Sequence, residues 1–354
     1  MLLEVPAPPV RATEVSVRDA TDGDAAAWRD YVNAHPAATV FHRWEWRTIL
    51  ERTFRHEPHY LVATRSGRIA GVLPLMQVRT WLFGHALVSL PFCSWAGPLA
   101  DDDAALEALD DAAAALADRL GVDHLEYRHL GEPRHGRPLQ DLYVCFSGPI
   151  SGDHEANLKA IPRKQRAMVR KGIANQLVSG IESVDEFFPL YADNVHRHGT
   201  PPVPPRFFRA MAEAFGDDCE ILVVRDRQGA ALSGVLTLYH RDEVFPFYAG
   251  DVVAARELAA NDFKYWEVMR RGADRGARVF NYGRSKRGTG SFSFQKNWGF
   301  QPTPLSYEFR LGAGKEVPQN NPNNPRYRLL ISTWRRMPRW AVNAAGPLLV
   351  RGLG

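Results

Sequence analysis

The chain has 354 residues, 45% hydrophobic and 11% aromatic, with a net charge of +4, so it can bury two ordinary globular cores. No run of about 18 apolar residues occurs, which excludes a membrane span, and the stretch broken at Pro6, Pro8 and Pro9 lacks the apolar core of a signal peptide. Cys93, Cys145 and Cys219 are odd in number, far apart and without a C-x-x-C, so they predict inert core thiols and a cytoplasmic setting rather than a disulfide framework.

In chain order, a helix is expected over Thr21–Tyr31, capped by Thr21 or Asp22, and a second over His42–Thr53 with Trp44 and Trp46. His59–Arg79 reads strand, Gly turn, strand, and a Pro-Phe strand ending at Ala96-Gly97 follows. A helix over Ala104–Leu120 has Asp101–Asp103 at its positive end and Gly121 as its stop, and a strand runs over Val122–Arg128. Glu132–Arg137 and Gly148–Asp153 read as linker, which places a boundary near residue 150. Pro162–Lys171 reads as a short helix stopped by Gly172, and a long loop is expected through His196–Thr200 and Pro201–Pro205. Then the first series recurs. Cys219–Arg241 gives strand, turn, strand; Phe245–Gly250 the Pro-Phe strand; Asn261–Arg275 the helix; and Ala277–Tyr282 the last strand. From the Ala-Gly to the glycine after the helix the interval is 24 residues in one copy (97 to 121) and 26 in the other (250 to 276). A repeat of this period outranks local motifs and predicts two like-folded halves. They are 1–150 and 151–314, with a tail over 315–354.

Charge is uneven. The tail carries seven cations (Lys315, Arg326, Arg328, Arg335, Arg336, Arg339, Arg351) against Glu316, and residues 159–171 hold six cations without an acid. Such segments attract phosphates or an anionic surface. Arg163, Arg166 and Arg170 share one helical face suited to an acceptor phosphate or carboxylate, or simply to water. The block has no interleaved aromatics, so no stable DNA binding is expected. The segment 329–350, with Trp334, Trp340, Leu348 and Leu349 among arginines, fits peripheral contact with a membrane or packing on the first half. Pro338 limits any helix there to two pieces.

Meander, Pro/aromatic strand, helix and return strand follow the order of the GNAT acyltransferase core. The α/β (α+β) class is therefore expected, as two tandem GNAT-like domains, each a mixed twisted sheet flanked by helices. At such a junction the helix N-terminus can hold a pyrophosphate, and a strand splayed from its neighbour can polarise an acyl carbonyl. In the second half this junction is Tyr248–Asp251 through Asn261 and Lys264, with Asn261 or Asp262 as the cap. An R-x-x-G-x-G is absent; Arg256–Asn261 is at most a degraded form. After the last strand come Arg284, Ser285, Lys286, Gly288 and Gly290, a run that could cradle a donor phosphate or form a solvated basic hairpin. Phe292, Phe294, Trp298 and Phe300 alternate, which predicts a strand carrying Lys296. A proton route could use His196, His198, Tyr248 or Asp251. His196-x-His198 has no further ligands in view, so no metal is expected.

Several segments, in order, resemble the FemAB family of tandem-GNAT aminoacyl and acyl transferases, and most closely its PEP-CTERM/exosortase-associated branch. They are Ile161–Gly172, Asn194–Thr200, Phe280–Gly283, Gly288–Ser291, Phe294–Phe300, His42–Arg47 and Leu90–Leu99. The resemblance implies transfer of an acyl or aminoacyl group to an amine or hydroxyl of a cell-envelope or exopolysaccharide precursor, on the cytoplasmic side. Acyl-CoA or aminoacyl-tRNA would be the donor substrate, with no tightly bound cofactor. The family pattern places a Phe-Lys pair at Phe294-Gln295, so the lysine here stands one place late, at Lys296. No helical arm of the peptidoglycan-bridge type interrupts the second half, which loosens the link to tRNA. Two further readings are a small-molecule N-acyltransferase using acyl-CoA and a non-catalytic protein docking a membrane or polymer.

Overall fold

The computed structural model describes residues 14–80, 84–134, 136–318 and 334–352. The first copy runs β1 (Ser16–Asp19), α1 (Ala25–Ala34), α2 (Glu45–Phe54), β2 (Glu57–Arg65), β3 (Arg68–Thr80), β4 (Gly84–Val88), β5 (Leu99–Ala100), α3 (Asp103–Leu120) and β6 (His124–Leu130). Next come β7 (Leu139–Pro149), α4 (His154–Ala160), α5 (Arg163–Ala174), β8 (Val178–Ile181), α6 (Val184–His198) and α7 (Pro205–Phe215). The second copy is β9 (Cys219–Arg225), β10 (Ala231–His240), β11 (Glu243–Asp251), α8 (Ala260–Asp274) and β12 (Val279–Lys286). It is followed by α9 (Gly290–Asn297), β13 (Gln301–Leu311) and α10 (Arg339–Val350).

Local chemistry sets most of these limits. Ser66 and Gly67 take positive φ and close the β2–β3 hairpin. The Asp102 carboxylate accepts from Ala105 N at 3.0 Å to start α3, and Gly121 ends it in the left-handed region. Three expectations are corrected. The Pro-Phe stretch of the first copy is a buried loop, because positive φ at Leu90 and Phe92 breaks the strand and lets Phe92 stack on Phe54 at 4.0 Å. Residues 196–198 are not loop but the last turn of α6, which Gly199 ends. Gly172 does not stop α5; it is buried within it, and a Cβ there would lie 2.7 Å from Phe263 Cβ on α8. It is the point of closest approach between α5 and α8.

The described strands form one continuous mixed sheet, ordered β1-β2-β3-β4-β6-β13-β7-β12-β11-β10-β9-β8, with β5 on β3. Both copies share the antiparallel meander and a parallel pair flanking the long helix: β4 with β6, and β11 with β12. The closing strands are exchanged. β7 precedes the second copy yet pairs with its β12, whereas β13 follows the second copy and pairs with β6 of the first. β13 also pairs with β7, which joins the halves.

One face of the second copy carries α8 and α5, and α3 covers the first. On the other side α1, α2, α6 and α7 share a single core drawn from both copies. Its contact is aromatic: Phe41 meets Phe245 at 5.3 Å and Trp46 meets Phe215 at 5.3 Å. The described part of the tail joins this core. Trp334, Val342 and Val350 are buried, Trp334 O lies 3.2 Å from His196 Nε2, and Arg351 reaches Arg55 O. Residues 319–333, with Arg326, Arg328 and Leu329, and the side chains of Trp340 and Leu348 lie outside the described residues.

Candidate active site

Parallel pairing between β11 and β12 is confined to Glu243–Val279 and Val244–Phe280. Beyond it β11 follows β10 to Asp251, with a bulge at Phe247, and β12 follows β7 to Lys286. The two strands diverge, so the edge of β11 facing the gap has no strand partner. In the first copy the equivalent gap is sealed. Ser89 N donates to Glu126 O at 2.9 Å and Arg128 N to Ser89 Oγ at 2.8 Å, while the Arg128 guanidinium reaches the carbonyls of Leu90 and Cys93.

Helix α8 points its N-terminus at the open gap. Contrary to the expectation from sequence, neither Asn261 nor Asp262 caps it; the cap position is Ala259, in the left-handed region, without a side-chain cap bond. A helix end without a side-chain cap can take an anion. Asn261 Oδ1 instead accepts from Lys264 Nζ at 2.8 Å. Lys264 is 1% exposed, and its ammonium sits 4.6 Å from the Tyr265 ring centre. Burial pushes its pKa down to about 8, against the opposing pull of Asp251 and Asp262. Burial raises the Asp262 carboxyl to about 6, although it accepts from Gln165 Nε2 of α5 at 2.9 Å. Beside the first copy's α3, a groove of about 930 Å³ is lined mainly by acids (Asp101, Asp102, Asp103, Glu107, Asp110 and Asp111), together with His35, Arg134 and Arg137.

Asp251, at the end of β11, is clamped by α6: Asn194 Nδ2 donates to it at 2.6 Å and Arg197 Nη2 at 3.0 Å. His196 is tied to the tail backbone and His198 is exposed. Neither histidine reaches the gap through a described contact. Tyr248 lines the core side of β11, 5.8 Å from Tyr191 and 5.3 Å from Phe208 between ring centres.

The run after β12 is not a cradle followed by a strand. Thr289 caps α9, accepting from Phe292 N at 3.4 Å and donating to Lys286 O at 2.7 Å, while Ser285 and Ser291 join through their hydroxyls at 3.3 Å. Gly288 and Gly290 flank this cap in open space. The aromatic spacing that suggested a strand serves a helical turn instead. Phe294 meets Tyr265 at 5.4 Å and Trp298 at 6.0 Å. Gln295 is buried, its Oε1 without a partner among the described residues, and Lys296 is exposed, so where the resemblance places a lysine the inward group is an amide.

Arg284 is the largest departure from expectation. β12 carries one extra residue between Asn281, opposite Ser147, and Arg284, opposite Cys145. Gly283 takes φ +73° there, and Asn281 Oδ1 accepts from its N–H at 2.7 Å. This bulge breaks the alternation. Tyr282 stays in the core beneath α8, but Arg284 turns to the opposite face, where its Nη1 donates to Tyr307 Oη at 3.1 Å and it lies over the Tyr143 ring. On α5, Arg163 and Arg170 are exposed, and Arg166 donates to Lys159 O at 2.9 Å.

These features match known proteins. Residues 157–296 match the model of the acetyltransferase (GNAT) domain. The match falls in the second half. Across 104 residues the chain is 27% identical to the UDP-N-acetylmuramoylpentapeptide-lysine N(6)-alanyltransferase of Weissella viridescens, covering 28% of this chain and 31% of that relative's length. The crystal structure of FemX superimposes with a TM-score of 0.64 at 13% identity, over 89% of this chain and all of that one. A tandem GNAT protein from the clavulanic acid biosynthesis pathway gives 0.55 at 12% identity, over 86% and 100% of the two chains. L-PGS from Bacillus licheniformis gives 0.55 at 10% identity, over 90% and 98%. The chain therefore has the tandem GNAT fold, with the open gap in the segment that matches the acetyltransferase (GNAT) model.

Proposed function

We propose that the chain transfers an acyl or aminoacyl group to an amine, with the chemistry at the gap between β11 and β12. The observation that carries this reading is the unpaired edge of β11 beside the uncapped N-terminus of α8. A donor phosphate would rest on the first-turn N–H groups, and its acyl carbonyl would accept from N–H groups on the free edge of β11. The amine nitrogen attacks the carbonyl carbon, the bond to the donor's sulfur or oxygen breaks, and the amine gives up one proton. Lys264, with its pKa near 8, lies beside that site and is partly neutral in mildly basic solution.

The acceptor class we favour is a cell-envelope or exopolysaccharide precursor, because the relative from Weissella acts, by its name, on the lysine of a muramoyl pentapeptide. The donor is acyl-CoA or an aminoacyl-tRNA. Thiol release from acetyl-CoA, measured beside transfer from aminoacyl-tRNA with the purified chain and amine acceptors, separates the two. Turnover of neither donor removes the reading. A docking role has one observation in its favour: Arg163, Lys164, Arg170 and Lys171 are exposed on α5, without an ion-pair partner among the described residues. That role predicts salt-sensitive binding to anionic vesicles and no donor turnover.

A further inference from the structure

Arginines near the gap are matched by acids. Arg128 pairs with Glu126 at 2.7 Å, and Arg197 with Asp193 and Asp251 at 3.0 Å each. Arg284 has no ion-pair partner among the described residues. It is nevertheless held firmly. Tyr307 accepts from its Nη1 and in turn donates to Ser94 O at 2.7 Å, and the Tyr143 ring lies 4.9 Å beneath the guanidinium. Tyr143 and Tyr307 themselves pack at 5.3 Å. The side chain is nevertheless exposed to solvent.

A guanidinium has five N–H groups in a fixed fork, and a single one is engaged by a described side chain. Its remaining N–H groups face solvent and are free to take an anion. The backbone is shaped for this placement. Regular alternation would carry Arg284 under α8 with Tyr282, and the extra residue at Gly283 turns it to the other face. The gap consequently has a donor side, with the α8 N-terminus and Lys264, and an opposite side with Arg284 and Tyr248.

We propose that the acceptor is an anionic amine whose oxyanion, a carboxylate or phosphate, is held by the Arg284 fork on the face of the gap opposite α8. This rests on the acyl-transfer reading for the amine, whereas the anion subsite stands on Arg284 alone. The Tyr143 and Tyr307 rings fix the fork, so a bound carboxylate or phosphate receives two parallel N–H bonds without further ordering of the side chain.

The test is calorimetric titration of the full chain with β-alanine, O-phosphoethanolamine and propylamine, which present an amine with a carboxylate, a phosphate or no anion. At least one anionic amine is expected to bind about tenfold or more tightly than propylamine, the scale of one charge-assisted pair. Arg284→Gln should erase that preference, and Arg284→Lys should keep part of it because charge remains while the fork is lost. Preference for β-alanine assigns a carboxylate, and preference for phosphoethanolamine a phosphate. Equal binding of all three, no detectable binding, or a preference that survives Arg284→Gln overturns the proposal. Arg284-dependent anion binding without turnover of any donor would instead sink acyl transfer and leave the subsite. Acyl transfer to the anionic amines at an undiminished rate in Arg284→Gln would do the reverse.

Discussion

Lys264 is where folding and chemistry conflict most openly. A lysine with an ordinary pKa of 10.5 is held near 8 by burial, so the folded chain binds its proton less firmly than the unfolded chain does. The charged form therefore costs stability at every pH below the folded value, on the order of 3 kcal/mol. Between pH 8 and 10.5 the unfolded state holds the extra proton and this cost fades as pH rises. Lys264→Met should be more stable than the parent in urea melts at pH 7, with the difference shrinking toward pH 10.5; a constant difference would mean that Lys264 is not desolvated. Gly283 makes the opposite prediction. A Cβ there would lie 2.6 Å from Phe245 Cζ in a backbone region that disfavours side chains, so Gly283→Ala should cost about 1–3 kcal/mol in denaturant melts. Most of these residues carry no sequence signal. Gln165 hid among the cations of its helix, and Gln295 was visible as a departure from a Phe-Lys pair without any sign that it faces inward. Tyr143 and Tyr307 lie far from Arg284 in sequence and meet it through strand pairing alone.

At the scale of elements, periodicity and caps were legible where they act locally. The hairpin at Gly67, the helix from Asp103 to Gly121 and the return strand after it stand close to where their residues predict. Failures came where two periods fit one segment. Phe292, Phe294, Trp298 and Phe300 alternate as strand residues do, but Thr289 is a helix cap, and the cap decided. Replacing Thr289 by Ala should lower stability by about 1 kcal/mol in urea melts and loosen the turn from Lys286, whose carbonyl its hydroxyl engages. An unchanged midpoint would show that α9 is held by its aromatics instead. The bulge in β12 was invisible for a different reason. One extra residue leaves no mark on composition, yet it moves an arginine across the sheet.

The whole molecule has a repeat that its sequence announces and an exchange of strands that it does not. Spacing within each copy is local information; which copy receives β7 and which β13 is settled by pairing across the chain. Because each half is closed by a strand from outside its own copy, heat should unfold the chain in one calorimetric transition whose van't Hoff and calorimetric enthalpies agree. Two separated transitions would show that the halves are independent despite the shared sheet. The two gaps differ in the same way: that of the first copy is bridged through Ser89 and Arg128, and that between β11 and β12 in the second is open.

Strand exchange also sets a timetable for synthesis. Gly131, just after β6, meets its partner Ser306 in β13 across 175 residues of chain. At about 5–20 residues per second, that edge of the first copy stays unpaired for roughly ten to thirty seconds after it leaves the ribosome. An uncovered strand edge is an invitation to pair with a neighbouring nascent chain. The first half is thus made early and finished last, and its yield in the cell should depend on whatever shields that edge while the second half is still being translated.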